Sequence, residues 1–135
     1  MVVEDSSASS VRGQPLPDSE AVRDEVSSWL AANWRQIGFD MPPKAVETLF
    51  PHHVSHYIGM DVHDTAGYTR KVLLQEGHCI TIEPGVYVPD DERWPKHFRN
   101  IGIRIEDSVS VQDDNPFVLT PEAVKEVVDI EALRD

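Results

Sequence analysis

The sequence predicts an α+β domain. An amphipathic helix comes first, short apolar strands follow it, and breaks rich in proline, glycine and aspartate separate them. Residues 1–17 read as a disordered lead, poor in large apolar side chains and carrying Ser6-Ser7-Ala8-Ser9-Ser10. Residues 18–135 then form one domain. Asp18 or Ser19 caps a helix over 19–37, in which Ala21, Val22, Val26, Leu30, Ala31 and Trp34 recur at three- and four-residue spacing. Gly38 is its stop. Pro42-Pro43 breaks the chain, and 44–49 is a short helix. Strands are expected at 54–60, at 78–88 after Gly77, and at 101–111. Loops cover 61–71 and 89–100. Asp113-Asp114-Asn115-Pro116 makes a turn into a short strand at 117–119, and Pro121 opens a final helical turn or two.

Composition narrows the function classes. The 135 residues allow one domain, and 40% hydrophobic content is enough for one core. A net charge of −12 argues against a nucleic-acid backbone or an anionic membrane as partner, since both need a basic patch. The plain reading of the charge is a solvated acidic surface. Cys79 is the single cysteine, which excludes an internal disulfide, and its apolar run suggests a small buried hydrophobe. No apolar run approaches the ~18–20 residues of a membrane span. Residues 1–17 carry no apolar or arginine-rich targeting pattern, which leaves the compartment open between cytoplasm and mitochondrion.

The chemistry is concentrated in three segments: His52-His53-Val54-Ser55-His56 with His63-Asp64, Thr81-Ile82-Glu83-Pro84-Gly85, and Gly102-Ile103-Arg104-Ile105-Glu106-Asp107. The polar residues sit in apolar runs that read as buried strands, where a carboxylate is costly unless paired or bound to a cation. Strand alternation puts Thr81 and Glu83 on one face, and Gly102, Arg104 and Glu106 on one face opposite Ile101, Ile103 and Ile105. Neighbouring strands would then aim Glu83 and Glu106 into one pocket beside Arg104. An ion pair of Arg104 with these glutamates is the alternative to a metal. The histidines do not form H-E-x-x-H, yet their clustering points to metal or substrate binding. His53 is expected to face away from His52, and His78 and His97 to be exposed. Carboxylates with one imidazole suit Mn²⁺, and also Zn²⁺ or Co²⁺.

Four motifs carry a family resemblance. The run His52-x-x-Ser55-His56-Tyr57-x-Gly59-x-Asp61-Val62-His63-Asp64, with Glu76-Gly77, Ile82-Glu83-Pro84-Gly85-x-Tyr87 and Gly102-x-Arg104-Ile105-Glu106-Asp107, resembles Xaa-Pro aminopeptidases (aminopeptidase P) of the pita-bread metallopeptidase superfamily. Asp129-Ile130-Glu131-Ala132-Leu133 matches as well, and Pro95-Lys96-His97-Phe98-Arg99 resembles the mitochondrial-type enzymes, including intermediate cleaving peptidases. The resemblance spans 50–133 and implies the C-terminal half of a pita-bread catalytic domain, with an antiparallel curved sheet behind the helix 19–37. It implies His56, Glu83 and Glu106 as metal ligands, with Glu83 also moving protons and Glu106 bridging two ions. His52 and His63 would contact substrate, and Arg104 would hold ligand geometry. The implied reaction releases the N-terminal residue of a peptide with proline second, through a hydroxide bridging two Mn²⁺ ions.

The resemblance leaves a large departure, with no match expected to the first half of the pita-bread domain or to the family's N-terminal domain. The family uses two further aspartate ligands on a hairpin upstream of the histidine motif, and Asp5 and Asp18 lie in no strand pattern. The sequence is therefore expected to be truncated and inactive alone, with an exposed sheet surface that favours self-association or a missing N-terminal half. The alternatives are a non-catalytic pita-bread protein acting through partners and a metal-free amidinohydrolase on the same fold. Retention of both glutamates argues against each.

Overall fold

Apolar spacing explains the first helix, α1 (Glu20–Gln36). Leu30 and Trp34 are buried and Val26 half-buried on one side, while Asp24, Glu25 and Arg35 are exposed. Gly38 ends it at φ +79°, donating to the Arg35 carbonyl at 3.0 Å, while the Phe39 amide reaches back to Trp34 O at 3.0 Å. Only glycine takes that left-handed conformation at little cost. A short helix, α2 (Ala45–Leu49), follows Lys44 and buries Ala45 and Leu49. The computed structural model describes residues 12–16, 20–42, 44–63 and 69–134. Asp5, the serine-rich stretch 6–10, the cap candidates Asp18 and Ser19, Pro43 and Asp64 lie outside them.

The two long strands expected from the sequence are each broken in two. The first becomes β1 (Cys79–Ile82) and β2 (Gly85–Val88). The second becomes β3 (Ile101–Arg104) and β4 (Asp107–Ser110). Pro84 has no N–H to give a ladder, so the break falls beside it. The expected strand at 54–60 is not a regular strand either. It runs beside β1 through Glu83 N to Val54 O (2.7 Å), Thr81 N to His56 O (2.8 Å) and Ile58 N to Cys79 O (2.9 Å). The His56 amide donates to the Thr81 hydroxyl at 3.0 Å, so a side chain takes the place of a ladder carbonyl and only a single bridge, Tyr57 to Ile80, remains. The chain continues through β5 (Phe117–Val118) to a short helix, α3 (Val127–Ala132).

The chain packs as two compact units. The first comprises Met1–Leu16, His56–Ile82 and Glu106–Asp135. Its antiparallel sheet has the order β1-β4-β5, and Leu16, Tyr57, Leu74, Ile80, Val109 and Val111 form its core. Residues 12–16 differ from the expected disordered lead. Gly13 N donates to Leu74 O and Leu74 N to Gln14 O, both at 2.8 Å, Leu16 is buried, and Arg12 pairs with Asp113.

The second unit comprises Pro17–Ser55 and Glu83–Ile105. Here Leu30, Trp34, Ala45, Leu49, Val88 and Trp94 form the core beside the antiparallel pair β2–β3. Trp34 packs edge-on against Trp94 with ring centres 5.6 Å apart, and Phe39 closes on Trp34 at 5.1 Å. All four residues of β3 are exposed, which corrects its reading as a buried strand. Ile103 is 63% exposed because β3 borders an open apolar groove of about 520 Å³, lined by Trp29, Leu30, Phe50, Val86 and Ile105 among others. Among the described residues no helix is long and apolar enough to cross a membrane.

Candidate metal centre

Ile82 lies opposite Asp107 at the end of β1–β4, Gly85 lies opposite Arg104 at the start of β2–β3, and Ile105 N donates to Pro84 O at 3.1 Å. Glu83 follows Ile82 and Glu106 precedes Asp107, so each carboxylate adjoins the same end of the β1–β4 pair. Two like charges brought close repel each other, and a cation removes the conflict. His56 comes from the segment bonded along the other edge of β1. One ligand atom from each of His56, Glu83 and Glu106 lies within 4.8 Å of the others. Glu83 is buried, His56 half-buried and Glu106 exposed, the last against the expectation of a buried carboxylate.

The imidazole of His56 is oriented by its own backbone. Nδ1 lies 2.9 Å from the Tyr57 carbonyl oxygen, which can only accept, so Nδ1 carries the proton and Nε2 the lone pair. His63 is exposed and stands edge-on to His56 with ring centres 4.8 Å apart. Arg104 Nε lies 3.8 Å from Glu83 Oε2, so the ion pair raised as an alternative to a metal exists beside the triad. At that distance, and with the Arg104 side chain 50% exposed, it is a weak compensation for the Glu83 charge.

His52 is held elsewhere. Its Nδ1 donates to the His53 carbonyl at 2.7 Å, which leaves Nε2 to accept from the Tyr87 hydroxyl at 3.0 Å. Tyr87 has no role in the sequence reading, although Gly85 and Gly102 signal it. A Cβ at Gly85 would stand 2.8 Å from Tyr87 Oη, and one at Gly102 2.8 Å from Tyr87 Cδ1. An aromatic residue flanked by strand glycines on its own face is that signal. Of the other histidines, His53 and His97 are exposed. His78, expected to be exposed, is half-buried, with its ring centre 5.5 Å from that of Tyr57. Cys79, expected to be buried, is half-buried too.

Residues 19–113 match the model of metallopeptidase family M24. The chain belongs to this family. It is 50% identical over 91 residues to Xaa-Pro aminopeptidase 3 of Mus musculus, covering 67% of this chain and 18% of that one. It is 50% identical over 86 residues to intermediate cleaving peptidase 55 of Saccharomyces cerevisiae, covering 64% and 17%. The crystal structure of Icp55 from S. cerevisiae superposes with a TM-score of 0.74 at 35% identity, over 93% of this chain and 32% of that one. Zn-substituted Escherichia coli aminopeptidase P with product gives a TM-score of 0.75 at 32% identity, over 92% and 30%. This M24 chain thus has the partial pita-bread α+β fold, and it spans about a fifth of the length of the curated relatives it matches.

Proposed function

We propose that this M24 chain contributes a divalent-metal site to an Xaa-Pro-type aminopeptidase reaction, the release of an N-terminal residue that precedes proline. The observation that carries the proposal is the convergence of His56, Glu83 and Glu106 within 4.8 Å. The donor set fits the group: two carboxylates and one oriented imidazole suit Mn²⁺, Zn²⁺ or Co²⁺. When bound, such an ion polarises a carbonyl and makes water acidic near neutral pH.

The chain's own residues then divide the remaining work. His56 presents Nε2, and Glu106 presents a carboxylate from the opposite strand. Glu83 holds and returns a proton at its carboxylate, and Arg104 limits where that carboxylate turns. His63, against the His56 ring, and His52 contact the peptide. Contact by His52 runs through Nε2 and displaces its bond to Tyr87. With the three ligands found among the described residues the chain holds one ion weakly, and hydrolysis stays at background until two further carboxylates are supplied.

The test is metal titration of the purified chain, paired with release of the first residue from a short peptide with proline second. Mn²⁺ binding that Glu83→Gln abolishes, with the fold intact by circular dichroism, is the expected result. Chelator-sensitive turnover by the 135 residues alone would overturn the need for further ligands. The groove beside β3, with Trp29 59% exposed, favours a second reading: a non-catalytic protein acting through partners. Absence of any metal binding would favour that reading.

A further inference from the structure

Immediately after Glu106, a clasp holds the start of β4. Asp107 Oδ1 accepts the Thr120 hydroxyl at 2.7 Å and lies 3.0 Å from Lys125 Nζ. The same Thr120 oxygen accepts the Ser108 amide at 3.0 Å. Lys125 Nζ also donates to Ala123 O at 2.8 Å and Thr120 O at 3.2 Å, so all three of its protons have acceptors. Both charged side chains are about three-quarters buried, at 26% and 28% exposure, so their pairing is less screened than that of a surface pair. Nothing in the M24 reading above uses this group.

We propose that Thr120 and Lys125 are positioning residues for Glu106, acting through Asp107. This rests on the reading of Glu106 as a metal ligand. Glu106 is bonded directly to Asp107, the first residue of β4, so fixing the Asp107 side chain limits how the backbone can turn to present the Glu106 carboxylate. The clasp does a second thing. Asp107 is a carboxylate one residue from a candidate ligand, and its engagement by a hydroxyl and an ammonium keeps it from competing for the ion. Asp107 is also the ladder partner of Ile82, which precedes Glu83, so the clasp steadies one of the two backbone pairs that adjoin both glutamates, the other being Pro84 with Ile105.

Co²⁺ binding by the full 135-residue chain tests this, read as affinity by calorimetry and as the visible absorption of the bound ion. Thr120→Val and Lys125→Met should each weaken binding about tenfold and alter the Co²⁺ spectrum, whereas Thr120→Ser, which keeps the hydroxyl, should stay within about twofold. If Thr120→Val does not fold, Lys125→Gln, which can still reach the carbonyls but not neutralise Asp107, gives the same reading. Variants that melt at lower temperature yet bind Co²⁺ with wild-type affinity and spectrum overturn the positioning role and leave the metal site standing. A wild-type chain that binds no Co²⁺ overturns the metal site and the proposal together.

Discussion

A single hydrogen-bonded arginine can move a carboxylate far from its ordinary behaviour even in solvent. Asp91 titrates at about 2 instead of 3.8, first because the Arg93 side chain bonds its carboxylate, then because the Arg93 amide does. The Arg93 guanidinium reaches both oxygens, Oδ2 at 2.8 Å and Oδ1 at 3.1 Å. A lowered folded-state pKa means the pair favours the fold above the ordinary value and loses that contribution as pH falls toward 2. Carboxyl-carbon NMR titration should place the Asp91 midpoint near 2, and Arg93→Ala, which removes the guanidinium but keeps the amide bond, should raise it part of the way toward the ordinary value. Residue-scale chemistry was only partly legible in the sequence. His56, Glu83 and Glu106 stand out because a cluster of histidines and acids in apolar strands has few other uses. Tyr87 was missed because its significance depends on Gly85 and Gly102, and Gly102 is brought beneath it only by strand pairing. Gly102→Ala should drive a Cβ into the Tyr87 ring, break the bond to His52 and cost ~1–3 kcal/mol in denaturant unfolding. Tyr87→Phe should lose the bond with a much smaller loss of stability.

At the scale of elements, α1 was readable because its apolar period and its glycine stop agree. The Gly38 conformation at φ +79° has open space around it, so Gly38→Ala tests backbone strain without a steric clash. Thermal unfolding should show a loss of ~1–2 kcal/mol, the left-handed cost for a residue with a Cβ. Strand breaks were harder to read. Hydrophobic runs over 78–88 and 101–111 look continuous, and Pro84 interrupts one directly, but Ile105 and Glu106 leave their ladder only because their partners do. The segment 54–60 looked like a strand because its composition suits one. The Thr81 hydroxyl, a long-range partner, takes the His56 amide that a ladder would have used.

For the whole molecule, the surface left open is as informative as the core. Trp29, Ile103 and Ile105 are 59%, 63% and 43% exposed around one apolar groove. Exposed apolar area of this kind drives association. Sedimentation should show concentration-dependent self-association, and Ile103→Lys should suppress it while leaving the circular dichroism spectrum unchanged. Composition alone located enough apolar residue for a core, but it carried no information on which isoleucines would be covered. That depends on what packs over β3, and alternation along a strand distinguishes two faces without saying which is dry.

The hairpin made by β2 and β3 is joined by the loop 89–100, which is too long to dictate alignment as a tight turn does. Alignment is keyed instead by Tyr87 seated over Gly102, where a slip of one residue would bring an isoleucine, Ile101 or Ile103, under the ring. The covalent link is therefore dispensable in a way the strands are not, although Trp94 of the loop belongs to the core. A single protease cut beside the exposed Asp90, outside the packing of Trp94 and Phe98, should leave two pieces that still find the same partners, and Glu83 would meet Glu106 again without a covalent link between their strands.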